Sequence, residues 1–362
     1  MVASLPGGGP EDRGLDRDAR RPPAGPADAV AGTPPLPAGA ARRTTSIAIT
    51  WPDGYGARIL GEVRGRDVVG GAGGPPEVAT TAAATVEIEA ATGEVTRVDT
   101  SGGPALPELV GTNMRRGFPR ALASAWPSGA SERALLYSVL EDLNGAFFVA
   151  GYAPLREGAI VWPEGQGEAL AEAQADVCAG WVRGGPLAEA LRITGSSPVP
   201  FGPLAPPIAD GAGGWHEMER PVPTTVRRLR RLDVRPGSEP DELAVTAHFR
   251  DSYVGPAADG DAEPIPGEGS ESVLHEYLLD ARFGSADLVV RDVAVQARVL
   301  PWDGCPAAVA SAAQAVGVAA KDLPGRVRAD FVGPSTCTHL NSTIRSLADV
   351  QVLRGLLEET GA

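Results

Sequence analysis

The sequence predicts an α+β protein of two similar units, each an antiparallel β-meander followed by helices, packed together as an internal pseudo-dimer. Three observations lead to this fold class. Alternating apolar and polar residues bounded by glycine turns predict strands in both halves. Amphipathic patterns at helical spacing follow those strands. The order of strands, turns and helices is the same in both halves, which indicates a duplication.

The first unit is expected over residues 41–150, behind a leader of residues 1–40. The leader is rich in Pro, Gly and Ala and lacks hydrophobic periodicity, so we expect it to be disordered. The strands of this unit are expected at residues 42–47, 59–69, 85–90 and 95–98. A helix is expected over Ser131–Asn144, where Leu and Val recur at helical spacing behind a serine cap.

A connector of residues 151–224 separates the units. It contains an amphipathic pattern over Glu168–Val182, which predicts a helix, and then a Pro- and Gly-rich stretch. This segment either straps the two halves together or serves as an ordinary linker.

The second unit is expected over residues 225–362. Its strands are expected at residues 230–234, 242–253, 273–281 and 288–300. Cys305–Pro306 opens a predicted helix, and the last helix is expected over Leu340–Leu357. Aligning the units pairs Asp251 with Asp67, and Asp349 with Asp142.

Composition excludes several classes of protein. The net charge of −14 opposes binding to a phosphate backbone, so we expect no nucleic-acid partner. No stretch approaches the roughly 18 apolar residues of a membrane span, so we expect no membrane partner. The odd count of three cysteines favours a reducing compartment over a disulfide framework, and we expect a cytoplasmic protein.

Histidine and cysteine are distributed unevenly. All four histidines and all three cysteines follow residue 177, so the candidate chemistry lies in the second unit. His248 and His275 are on neighbouring predicted strands, and a hairpin could place both side chains on one face of the sheet. Cys337 and His339 lie at the start of the last helix, where free N–H groups and the helix dipole favour a thiolate.

Two functional interpretations follow, and neither has a diagnostic spacing. In the first, His248, His275, His339 and Cys337 bind a metal ion, Zn²⁺ or Fe²⁺. In the second, Cys337 is a nucleophile, His339 or His275 is its base, and Asp251 orients a histidine. A structural role, with buried cysteines and hydrogen-bonded histidines, is the third possibility.

Other polar residues have simpler interpretations. His216 follows Trp215 and either reaches the site from the connector or closes an edge of the core. Cys178 has the pattern of a small residue on a buried helix face. The acidic stretch at residues 259–263 has oxygen ligands suited to Ca²⁺, but nearby prolines break the EF-hand pattern, which favours a solvated loop.

Four short motifs occur in a specific order: His248-Phe249-Arg250-Asp251, His275-Glu276-Tyr277, Cys305-Pro306 and Cys337-Thr338-His339-Leu340-Asn341. Together they resemble the bacterial domain-of-unknown-function 2889 family over roughly residues 225–355. The long N-terminal half is a departure from the typical member, as is His275-Glu276-Tyr277 where many members read His-Asp-Met. The resemblance points to the same candidate site residues, and it implies no established activity for this chain.

These observations favour an enzyme that acts on a small organic molecule through a His/Cys site. A non-catalytic module that binds an apolar ligand or a partner protein is the alternative, and it predicts a dry apolar pocket with the histidines far apart.

Overall fold

A single antiparallel sheet organises the chain. In the computed structural model, which describes residues 25–71, 74–159, 166–195, 200–208, 213–255 and 270–360, eight strands pair in the order β4-β3-β2-β1-β5-β6-β7-β8. The strands are β1 Ala41–Thr50, β2 Arg58–Val69, β3 Glu77–Glu89, β4 Val95–Ser101, β5 Thr225–Pro236, β6 Glu242–Val254, β7 Glu271–Gly284 and β8 Val290–Val299. The two four-stranded meanders therefore join through β1 and β5.

The helices occupy the segments between and after the meanders. They are α1 Phe118–Ala125, α2 Leu135–Ala150, α3 Tyr152–Arg156, α4 Gly167–Gln174, α5 Pro186–Thr194, α6 Leu323–Asp330, α7 Thr338–Ser346 and α8 Val350–Thr360. Cys305–Ala315 forms a 3-10 helix with proline at its first turn. The α+β class predicted from the sequence is confirmed, and no helix among the described residues is long and apolar enough to cross a membrane.

The helix expected over Glu168–Val182 is interrupted in the structure. α4 ends at Gln174, and Asp176 adopts a positive φ of 59° that a helix does not tolerate. The Asp176 carboxylate accepts a hydrogen bond from the backbone N–H of Arg183, which holds the chain in this turn. The predicted last helix is likewise divided into α7 and α8 by a one-turn 3-10 segment, Leu347–Asp349.

One face of the sheet, called here the helix face, carries the apolar core. Around β1 to β4 the strands contribute aliphatic side chains to this core and pack against α2, with Ile47, Val63 and Leu140 almost fully buried. Around β5 to β8 it packs against α7 and α8, with Phe249 and Leu279 at its centre. Burying side chains of this size stabilises the fold by roughly 1.5–3 kcal/mol each.

The opposite face of the sheet, called here the back face, is polar and is covered by extended segments. Residues 25–40, which composition predicts to be disordered, include a stretch that lies along the edge strand: Asp28 donates its backbone N–H to the Arg298 carbonyl. Farther along, the Trp215 indole donates to the Thr33 hydroxyl and joins this stretch to the connector. Residues 1–24 lie outside the described part of the chain.

Two buried ion-pair clusters lie where the meanders meet. Each consists of an arginine on a central strand, an aspartate opposite it on the next strand, and an aspartate from the other half of the chain. Their members are Arg43, Asp67 and Asp349 in one cluster and Arg228, Asp251 and Asp142 in the other. Each half thus supplies a carboxylate to the arginine of the other half.

Candidate active site

Asp251, His275 and His339 converge on the helix face of the sheet. The register of β6 and β7 pairs Asp251 directly with His275, and α7 places His339 above them. Asp251 Oδ2 lies 3.4 Å from His339 Nε2 and 4.0 Å from His275 Nδ1. Of the described residues, these three alone bring at least three metal-ligand atoms within 4.8 Å of one another. The structure therefore brings together three of the residues predicted from the sequence.

The start of α7 fixes Cys337 beside this cluster. Cys337 is the residue before the first helical turn and has extended backbone, and its carbonyl accepts the N–H of Asn341 at 2.8 Å. The Asn341 side chain in turn donates to the Phe331 carbonyl at 2.8 Å, which anchors the turn to the end of α6. These contacts leave Cys337 Sγ 3.7 Å from His339 Nδ1.

Cys337 is a buried thiol in the resting structure. Burial raises its pKa, and the Tyr277 hydroxyl and the backbone N–H groups of Leu340 and His339 oppose that rise. The helix start does favour the thiolate, as expected, but desolvation outweighs it. At neutral pH the residue is therefore a protonated thiol with an imidazole nitrogen next to its sulfur.

Both histidines of the cluster are neutral at physiological pH. Burial and the nearby Arg228 lower the pKa of His275 to about 3. Burial, together with His275, lowers the pKa of His339 well below its usual value. The two rings stack with centroids 3.7 Å apart and an angle of 20° between their planes. Since the rings are uncharged, this close stacking brings no like-charge repulsion.

Arg228 holds Asp251 in place. Its Nε and Nη2 donate to the two carboxylate oxygens of Asp251 at 2.8 and 2.9 Å, and its Nη1 donates to Asp142 at 2.9 Å. Burial raises the pKa of Asp251, and Arg228 opposes that rise. The orientation of Asp251 beneath His339 is therefore set by a bidentate pair, which is geometrically stricter than a single hydrogen bond.

The same contacts do not fit a metal ion. An ion lies close to the plane of each imidazole that binds it, at about 2.0–2.1 Å for Zn²⁺. Planes inclined by 20° and separated by 3.7 Å meet only roughly 10 Å from the rings, far beyond that bond length. Both oxygens of Asp251 are also engaged by a cation. Metal binding would require His275 to turn and Arg228 to withdraw.

A cavity of about 780 Å³ opens beside the cluster. Its walls come from both halves of the chain and from the connector, with α2, α3, α4 and α7 among them. The three cysteines, Cys178, Cys305 and Cys337, all line it, as do His275 and His339. The volume lies within the range of about 300–1,000 Å³ typical of small-molecule sites.

His248 lies apart from this site. It pairs with Leu278 across β6 and β7, and its side chain is on the back face, where Nε2 is 2.8 Å from Glu276 Oε1. His216 is also on the back face, with its ring nitrogens 2.7 Å from the Ser46 hydroxyl and 3.0 Å from the Thr44 hydroxyl. The structure therefore does not bring either histidine to the cavity. The acidic stretch at residues 259–263 lies outside the described residues.

Arg228 and Arg345 lie at the site but are not among the site residues predicted from the sequence. Arg228 lies on β5, and strand alternation places it on the same face as Asp251. A buried arginine opposite a buried aspartate in the strand register was the available signal. Arg345 carries no such signal, because its position depends on how α7 packs against the sheet.

Comparisons with known proteins support the resemblance. The family model described as Protein of unknown function (DUF2889) matches residues 226–353, which include every residue of the cluster. No curated protein and no solved structure matches the chain. The resemblance inferred from the four short motifs is therefore confirmed: the C-terminal segment of the chain matches the DUF2889 family.

Proposed function

We propose that this protein is a thiol-dependent enzyme that transfers or hydrolyses an acyl group of a small organic molecule, with Cys337 as nucleophile. One observation carries the proposal. Cys337 Sγ, the two ring nitrogens of His339 and Asp251 Oδ2 form a continuous series, with separations of 3.7 and 3.4 Å. A nucleophile, a base and a carboxylate that orients the base are the parts that such chemistry requires.

The protonation states suit this role. Cys337 attacks the substrate carbonyl carbon, a bond forms from Sγ to that carbon, and the thiol proton passes to neutral His339. The same proton goes to the leaving alcohol, thiol or amine as its bond to the acyl carbon breaks. Water, deprotonated by His339, then releases the acid and restores the thiol. Asp251 stabilises the imidazolium that forms in both stages.

Alkylation tests the proposal without a known substrate. We expect iodoacetamide to label Cys337 and His339→Asn to slow that labelling at least tenfold, because the base is lost. Peptide mass spectrometry gives the rate at each cysteine separately. Cys305, which lines the same cavity, is the internal control. His248→Gln is the control variant, since that residue lies on the back face and should leave the Cys337 rate within twofold. Equal Cys337 rates in wild type and His339→Asn would contradict the proposal.

Turnover tests it directly. A panel of p-nitrophenyl esters and acyl thioesters should include substrates that the wild type hydrolyses, and Cys337→Ser should lose at least about a hundredfold in kcat/KM. Cys305→Ser should retain activity within a few-fold. An acyl group on the peptide containing Cys337 would identify the intermediate. Hydrolysis that persists in Cys337→Ser would refute the assignment.

A metal-dependent enzyme is the second candidate, favoured by the proximity of Asp251, His275 and His339. Elemental analysis of the purified full chain decides between the two. Stoichiometric zinc or iron that disappears in His275→Ala would replace the thiol proposal, because the stacked rings must then reorganise around an ion. A binding module without catalysis would instead show ligand binding, slow alkylation and no turnover.

We further propose that the two halves are duplicated units packed as an internal pseudo-dimer. The strand order is symmetric about the β1–β5 pair, and each half gives an aspartate to the other half's central arginine. Reciprocal contacts of this kind are what a two-fold interface produces. In this proposal Arg43 and Asp67 are the counterparts of Arg228 and Asp251 in a first copy without His or Cys.

The proposed enzyme belongs to a reducing compartment such as the cytoplasm. All three cysteines are free thiols, and two of them are buried beside the cavity. A nucleophilic thiol needs such surroundings to stay reduced.

A further inference from the structure

We infer that the cavity beside Cys337 binds an anionic amphipathic small molecule, with Arg345 holding the anionic group and an aromatic wall holding the apolar part. This names a substrate class for the proposed enzyme, and its catalytic consequence rests on that proposed function. The binding itself does not depend on Cys337 chemistry.

Charge balance within the cavity points to Arg345. Arg228 is paired with two aspartates, and Arg328 contacts Glu141. Among the described residues, Arg345 is the cationic side chain of the lining with no carboxylate within 4.0 Å. Its Nη2 donates to the Ser342 hydroxyl at 3.1 Å.

The charge of Arg345 is only partly compensated by the protein. Burial lowers its pKa, and the negative charges of Glu141 and Asp142 oppose that fall without cancelling it. An arginine nevertheless stays charged at physiological pH, because its unperturbed pKa is above about 12. A carboxylate, phosphate or sulfonate in the cavity would supply a counter-charge in direct contact and accept two parallel hydrogen bonds. An anion is therefore the complementary ligand group at this end of the cavity.

The other walls are apolar and aromatic. Trp181 and Trp302 are largely buried and face the cavity from the connector and from the segment after β8. Phe148 of α2 also lines it, although this phenylalanine is 57% exposed. An exposed aromatic ring at the edge of an apolar cavity is typical of a surface that a ligand covers. The apolar part of the ligand would lie against these rings.

The geometry of α7 relates the anion to the proposed nucleophile. His339, Ser342 and Arg345 recur every three residues, so they lie on one side of the helix. Six residues of α-helix advance about 9 Å along the axis. The anionic group should therefore bind almost two helical turns along α7 from His339, the proposed base.

A pair of fluorescent probes tests the inference. 8-Anilinonaphthalene-1-sulfonate is an anionic aromatic amphiphile, and N-phenyl-1-naphthylamine has nearly the same rings without the charge. Titrated into the full-length Cys337→Ser variant, the sulfonate should bind, and Arg345→Gln should raise its Kd about tenfold while leaving the Kd of the neutral probe unchanged. The control Arg328→Gln should change the sulfonate Kd less than threefold, since Arg328 already has Glu141.

Equal losses for both probes in Arg345→Gln, or no loss for either, would overturn the inference. Circular dichroism verifies that each variant is folded. If Arg345→Gln does not fold, competition on the unaltered cavity decides: decanoate should displace the sulfonate at least tenfold better than decanol. Equal displacement would overturn anion recognition. Because all of these titrations use a variant without the proposed nucleophile, loss of anion selectivity and loss of acyl transfer are separate results.

Discussion

Replacing Asp142 by asparagine tests the buried ion pairs that join the two halves. Asp142 accepts hydrogen bonds from Arg228 at 2.9 Å and from Arg230 at 2.8 Å, and it is 7% exposed. Removing one charged partner from a buried cluster costs about 3–5 kcal/mol, because the remaining charge is left uncompensated. Asparagine keeps one acceptor oxygen, so we expect a loss near the lower end, about 3 kcal/mol in the free energy of unfolding.

Urea unfolding followed by circular dichroism measures this loss, provided that the m-value is unchanged. Asp53→Asn is the matched control, because Asp53 pairs with Arg58 where both side chains are exposed, and it should change stability by less than about 0.5 kcal/mol. A loss below about 1 kcal/mol for Asp142→Asn would refute the reasoning.

The same pair predicts a dependence on pH. Burial alone would raise the pKa of Asp142, but Arg230 and Arg228 outweigh it and the pKa is lowered. A carboxyl with a lowered pKa stabilises the fold above its unfolded pKa of about 3.9, and this contribution disappears as the pH falls further. The stability difference between wild type and Asp142→Asn should therefore be constant from pH 7 to 5 and shrink below about pH 4.

Two further predictions concern packing and the histidines. Gly145→Ala in α2 should destabilise the protein despite alanine's helix propensity, because a Cβ there would lie 2.3 Å from an Arg228 nitrogen. Gly355→Ala in α8 should stabilise the protein by about 0.5–1 kcal/mol, because a Cβ there would have nothing within 4 Å. Urea unfolding measures both changes. Because burial lowers the pKa of His275 to about 3, the wild type should lose stability as the pH falls below about 6.5, with about 2 kcal/mol lost through this residue at pH 5. Thermal melts over the same pH interval should show a smaller loss for His275→Gln. Equal slopes of stability against pH in the two proteins would contradict this.

Local patterns were enough to predict most strands, because alternation is strong where one face is buried and the other is not. The strands predicted at 242–253 and 59–69 are examples, and their observed bounds, Glu242–Val254 and Arg58–Val69, differ from expectation by one residue each. The prediction of one helix over Glu168–Val182 was wrong for a tertiary reason. Asp176 turns the chain at positive φ, and the segment after this turn places Trp181 in the wall of the cavity. Hydrophobic spacing alone does not record that change of direction.

The composition of the candidate site depends on which sheet face each side chain occupies. His248 and Asp251 are three residues apart on one strand, and side chains alternate between faces, so they point to opposite sides of the sheet. His248 therefore joins Arg250 and Glu276 on the back face, whereas Asp251 joins His275 and His339. A motif that reads as one unit in the sequence thus serves two faces, and a catalytic role for all of its polar residues would conflict with strand geometry. On the back face, Arg250 and Glu276 instead bind the stretch of residues 25–40. Arg250 donates to the Val30 carbonyl, and the Val30 N–H donates to the Glu276 carboxylate at 2.7 Å. A His248 variant should accordingly weaken the attachment of residues 25–40 without altering the reactivity of the cavity.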